Sequence, residues 1–330
     1  MRRSLGIATL AALLLVTAAG VTRAESIRIG CPAALPLYYL PASVADSQGF
    51  FRKEGLTVEM INLVGSDAAK ALLAKSVDVS CNSLDHAIKA AAQGQQLKMI
   101  VAFQRTPAMA LLVLNKHRDQ IKSVRDLKGR AVGISVVGAS AHLMLRYVLD
   151  RAGLGERDVR LVSVPGPAFI AAMKQGQIDA GMNFEPFVTR LIREGVAFPL
   201  LDLRPVKAAE AVMGGPEFVH TGMLARAETI RDRPATIQKV VNAIVRAHRW
   251  IQEHSPADIA NALPDLKDKE DFITAMGTLK DAYYPAGVPT EAGVIKTIGF
   301  HRAVGTLTAD QRLDPRALLD TTFVLKASAP

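Results

Sequence analysis

The chain has 330 residues, 49% of them hydrophobic and 22% charged, with 40 Lys and Arg against 31 Asp and Glu. That length accommodates about two domains with sizeable cores. The net charge of +9 is spread without a dense Lys/Arg block, which argues against a nucleic-acid surface, and two cysteines outside any CxxC or Cys/His pattern argue against a disulfide-built scaffold or a metal module.

Arg2 and Arg3 precede an uncharged Ala- and Leu-rich run from Leu5 to Val21, and Thr22-Arg23-Ala24 stands before Glu25. A basic start, an apolar centre and a small residue at the cut read as a secretory signal peptide over residues 1–24, leaving a mature chain of charge +6 that is expected in the periplasm. Short strand-like and helical runs then alternate. Ser26–Cys31, Leu56–Leu63, Val77–Cys81 and Lys98–Phe103 read as strands, with helices through Tyr39–Glu54, Ser66–Lys75 and Leu84–Gln93 between them. The grammar restarts with strands at Ala110–Leu114, Arg130–Ser135, Val159–Val164, Ile178–Asn183 and Ala197–Leu201, separated by helices at Ala141–Ala152, Ala168–Gln175 and Pro186–Glu194. Such alternation implies βαβ units and mainly parallel sheets. Two successive sets suggest two lobes, with Phe218–Ala225 as a strand returning to the first. Thr229–His254 reads as one long amphipathic helix, followed by a mainly helical tail.

Several stretches resemble a known family. They are Pro36-Leu37-Tyr38; Gln48-Gly49-Phe50-Phe51-Arg52-Lys53-Glu54-Gly55-Leu56; Lys75-Ser76-Val77-Asp78-Val79; Ile121 through Gly133; and Gly176-Gln177-Ile178-Asp179-Ala180 leading into Phe184-Glu185-Pro186. In order and spacing they are similar to substrate-binding proteins of nitrate, sulfonate, taurine and thiamine-pyrimidine-precursor ABC importers. The resemblance implies an α/β, two-lobed periplasmic-binding-protein fold of type II with a ligand cleft between lobes. Lobe one would hold residues 25–113 and 220–330, lobe two 114–219, with crossings near Leu112–Lys116 and Val212–Gly222. It further implies a monomer with no cofactor and no catalytic activity, which captures a small anionic solute or a pyrimidine precursor and hands it to a membrane permease.

Ligands of open α/β sheets gather beyond the carboxyl ends of the strands. After one such strand come Ser135, Gly138, Ser140 and His142, where Ser140 is placed to cap a helix whose N-terminus would attract an anion. His142 either donates to that anion or is an ordinary histidine. Tyr38 would wall the cleft, Asn82 and Ser83 would donate to ligand oxygens, and Arg105 would grip a carboxylate or sulfonate or simply be solvated. Asn183 and Glu185 follow another strand; Glu185 either stabilises the helix start or binds an amine. Asp78, Asp85, His86 and Asp179 form no recognised acid–base set and are expected as caps and surface groups. Cys31 and Cys81 end neighbouring strands, where an oxidising compartment allows a disulfide but parallel-strand geometry favours two buried thiols. The competing functions are a thiamine-pyrimidine-synthase type of enzyme, which lacks its cysteine cluster here, and a sensory domain serving a signalling partner.

Overall fold

The computed structural model describes residues 25–32, 37–63, 66–215 and 217–328, so the expected signal peptide and Pro36 lie outside the described residues. The first set of elements is β1 (Glu25–Gly30), α1 (Leu40–Ser47), α2 (Phe50–Lys53), β2 (Leu56–Ile61), α3 (Ser66–Leu73), β3 (Val79–Ser83), α4 (Leu84–Ala92) and β4 (Leu97–Ala102). The second is β5 (Met109–Leu114), β6 (Ala131–Ile134), α5 (Ser140–Arg151), β7 (Arg160–Ser163), α6 (Pro167–Lys174), β8 (Ala180–Phe184), α7 (Phe187–Arg193), β9 (Ala197–Asp202) and α8 (Val206–Met213). The chain then returns through β10 (Thr221–Arg226) and ends in α9 (Ala227–Asp232), α10 (Pro234–Glu253), α11 (Pro256–Asn261), α12 (Lys269–Leu279), α13 (Glu291–Ala303) and α14 (Thr322–Ser328).

Two five-stranded sheets result, in the orders β2-β1-β3-β10-β4 and β7-β6-β8-β5-β9. The two share one plan. Three parallel strands are joined to a fourth by an antiparallel strand that arrives from the other half of the chain. Helices cover both faces of the second sheet, with α5 on one side and α6 and α7 on the other. Strands buried on both faces read as continuous apolar runs, as β5 (MALLVL) does, every residue of it buried. Close helix packing also requires bare backbone. A Cβ on Gly181 of β8 would come within 2.4 Å of the Phe169 ring, so α6 sits directly on the strand there.

Three expectations need correction. The expected lobe boundary puts Met109–Val113 in the first lobe, but β5 pairs with β8 and β9 in the second sheet, starting from Met109 opposite Phe184. The chain therefore crosses between the sheets at 103–108 and again between β9 and β10, at 203–220. The long helix expected over Thr229–His254 is two, because Pro234 starts α10 and holds Arg233 at φ −132, ψ 49, outside helical geometry. Finally, Cys31 and Cys81 are joined as a disulfide rather than left as thiols. The register Gly30↔Ser80 makes their strands immediate neighbours and brings the two Cα atoms to 4.9 Å.

Candidate functional site

The carboxyl ends of β3 and β8 open onto one cleft, and residues from both sheets close around it. From the first half come Asp85 on α4, the approach to β10 (Phe218, Val219 and His220), and Thr297, Phe300 and His301 on α13. Met109, Ser140, Leu143 and Met144 come from the second. Tyr38 bridges the halves, its ring 5.2 Å from Phe184 and its hydroxyl 2.8 Å from His220 Nε2.

Asp85 is the charged centre. It sits in the first turn of α4, where the helix dipole favours a carboxylate, yet it is only 7% exposed. Burial opposes its ionisation, but His86 and Lys89 hold the carboxyl well below the usual range. Lys89 Nζ lies 3.5 Å from Oδ2. Oδ1 is buried without a hydrogen-bond partner, with His86 Nδ1 at 3.6 Å. Leaving a buried carboxylate oxygen unpaired is costly, so this atom asks for a donor.

The neighbours also offer acceptors. Burial lowers the His220 and His301 imidazoles to about 4, against an opposing pull from Asp85, so both are neutral at pH 7. The Thr306 hydroxyl donates to the His301 carbonyl (2.9 Å) and accepts from its Nδ1 (2.7 Å), which leaves Nε2 as a lone pair. Burial pushes the Tyr38 phenol well above its ordinary value, so it keeps its proton and donates toward His220. Around these groups stand Phe218 and Phe300, packed edge to face at 5.4 Å.

Of the ten residues expected in the site, Ser140 lines this cleft and Tyr38 spans its halves. The others are engaged elsewhere, except for the side-chain nitrogen of Asn183. Ser140 is the first helical residue of α5 rather than its cap; Ala139 holds that position and makes no side-chain cap bond. His142 is buried, accepting from the Gly138 amide at 2.9 Å through Nδ1 and bonding Glu156 through Nε2, so it pins the loop before α5 instead of facing an anion. Gly138, at φ +81, turns that loop, and its carbonyl accepts from Lys89 across the cleft at 3.4 Å. The Ser135 carbonyl accepts from Ser163 Oγ. Asn82 donates to Ser80, and Ser83 Oγ lies 3.2 Å from His86 Nδ1. The Arg105 guanidinium donates twice to the Asp281 carbonyl, at 3.0 and 2.9 Å, which spends the fork expected for a carboxylate or sulfonate. Glu185 is 2% exposed and fully engaged by Thr189 and Arg204, which also removes it as an amine ligand. Asn183 accepts from the Phe184 amide, and its Nδ2 is buried without a partner.

Asp85, His220 and His301 were not singled out for binding by the sequence. One signal was available: Asp85 stands two residues after Ser83 at a strand end, the position where ligands collect. Nothing comparable marked His301, which comes from the helical tail.

Comparisons with known proteins agree with this architecture. A solved protein of Bordetella bronchiseptica RB50 is 29% identical, with a TM-score of 0.81 over 92% of this chain and 96% of its own. The periplasmic aliphatic sulphonate binding protein SsuA of Escherichia coli shares the fold at 23% identity, with a TM-score of 0.67 over 88% of this chain and 96% of its own. Among sequence relatives, the binding protein YtlA of Bacillus subtilis is 26% identical over 71% of this chain and 69% of its own. A Haemophilus influenzae protein named for thiamine biosynthesis is 29% identical over 69% of each. A Uromyces fabae protein named 4-amino-5-hydroxymethyl-2-methylpyrimidine phosphate synthase is 25% identical over 63% of this chain and 61% of its own. The fold is thus the two-lobed α/β fold of the periplasmic binding proteins, and with residues 37–257 matching its model, the chain belongs to the NMT1/THI5 like family.

Proposed function

We propose that this chain is the exported solute-binding component of an ABC importer, and that its solute is a small planar molecule bearing N–H donors, such as an aminopyrimidine. One observation carries the choice of ligand: Asp85 presents a buried, ionised carboxylate in an aromatic-walled cleft, its Oδ1 making no hydrogen bond within 3.5 Å and facing only His86 Nδ1 at 3.6 Å. A nitrate or a simple sulfonate would meet that carboxylate as a like charge, and Lys89, 3.5 Å from Oδ2, is already paired with it. Neutral His301 adds an acceptor, while Tyr38, Phe218 and Phe300 supply faces for a flat ring. Closure of the lobes about the crossings at 103–108 and 203–220 would bury the solute and present a surface to a permease. The expected leader at 1–24 would deliver the protein to the periplasm.

Calorimetric titration with 4-amino-5-hydroxymethyl-2-methylpyrimidine tests the reading. Asp85→Asn is expected to weaken binding about 10- to 100-fold, as loss of a charged hydrogen-bond acceptor does. Equal affinity in the two proteins would remove Asp85 from the site. The synthase reading draws on the names of relatives such as that of Uromyces fabae. Chemical conversion of the captured pyrimidine by this protein would favour it over transport.

A further inference from the structure

The two lobes touch beyond the cleft on both faces of the second sheet, by different chemistry. On one face Tyr147 of α5 packs against Phe300 of α13, ring centroids 5.2 Å apart. On the other, the last turn of α7 meets the first turn of α12 through ion pairs. Arg190 Nε donates to Asp271 Oδ2 at 2.7 Å, and Arg193 Nε donates to Asp271 Oδ1 at 2.8 Å. The outer nitrogens reach Asp268 Oδ2 at 2.5 Å and Glu270 Oε2 at 2.9 Å.

The arrangement has three physical properties. Each partner suits its own helix, since cations belong at a helix C-terminus and acids at an N-terminus. The Asp271 side chain is 1% exposed, so its carboxylate depends on the two guanidinium groups for both oxygens. Above all, the pairs join different bodies. Arg190 and Arg193 follow β8 of the second sheet, whereas α12 packs on α11 and runs into 280–282, whose Asp281 and Ala282 carbonyls bond Arg105 in the crossing that leaves β4 of the first sheet. A charge pair within one lobe would not affect the lobe equilibrium. One that spans two lobes biases it toward the state in which the pair is made.

We infer that Asp271, gripped by Arg190 and Arg193, is an electrostatic latch between the lobes that favours the closed conformation even without solute. On this reading, an opening that moves α7 away from α12 pulls both guanidinium groups off a single carboxylate, and the partly exposed arginines let salt weaken the grip.

Small-angle X-ray scattering of the solute-free protein tests this without a known ligand. The radius of gyration of the unaltered protein should rise between about 20 mM and about 500 mM NaCl, as screening shortens from tens of ångströms to a few. The Arg190→Gln/Arg193→Gln double variant should be expanded already at low salt, with the closed-to-open ratio lowered about tenfold. Asp271→Asn, which keeps the shape of the side chain, should behave in the same way, and circular dichroism establishes that both variants are folded. If the unaltered protein keeps one radius at both salt concentrations, and the folded variants match it, the latch is refuted.

Discussion

Acid should destabilise this protein well above the range in which most carboxylates titrate. Burial lowers His220, His248 and His301 to about 4 in the fold. In the unfolded chain the same groups titrate near 6.5. Between those values the unfolded state binds more protons, so stability falls as pH drops through the window and levels off below it. Linkage gives about 2 kcal/mol lost per histidine between pH 7 and pH 5, hence about 6 kcal/mol for the three. That is a large share of a typical stability of roughly 5–15 kcal/mol. Urea unfolding followed by circular dichroism at half-unit steps from pH 7 to pH 5 measures the slope. His248→Leu, at a fully buried position away from the cleft lining, should flatten it by about a third. A pH-independent urea midpoint across this range would refute the reasoning, as would an unchanged slope in the variant.

Two further outcomes concern stability. Arg204→Leu should cost about 3–5 kcal/mol in urea unfolding, because it strands the Glu185 carboxylate, 2% exposed, without its cation; a loss under 1 kcal/mol would show that Thr189 suffices. Replacing Cys31 and Cys81 together by Ser frees a loop with 50 residues of sequence separation and should lower stability by about 4 kcal/mol on loop-closure grounds. An unchanged melting temperature under reducing conditions would show that the bridge does not hold the fold.

Much of the fold was legible because the alternation of β-branched strands with helices is local information. The return of β10 to the first sheet was read from Phe218–Ala225, but the placement of β5 was not, since an apolar run such as MALLVL suits either sheet. The break before Pro234 was visible in principle, but amphipathic spacing continues through it and masks it. Short α8 (VKAAEAVM) was not read as an element although its residues alternate at helical spacing. The site was read less well, for a related reason. Local rules place Ser140 and Arg105 at inviting strand ends, yet partners from distant segments claimed their neighbourhoods: the carbonyl of Asp281 for Arg105, and Glu156 for His142. Asp85 seemed an ordinary first-turn acid until α13 was folded over it, which removes water and turns a helix-stabilising charge into a binding group.

The central claim is that a buried acid in an aromatic cleft selects a nitrogen-bearing ring over simple anions. Calorimetric titration of one preparation with 4-amino-5-hydroxymethyl-2-methylpyrimidine, an alkanesulfonate and nitrate tests it most directly. The account predicts saturable heat with the pyrimidine and none with the two anions; tight binding of the sulfonate or nitrate, with no response to the pyrimidine, would contradict it.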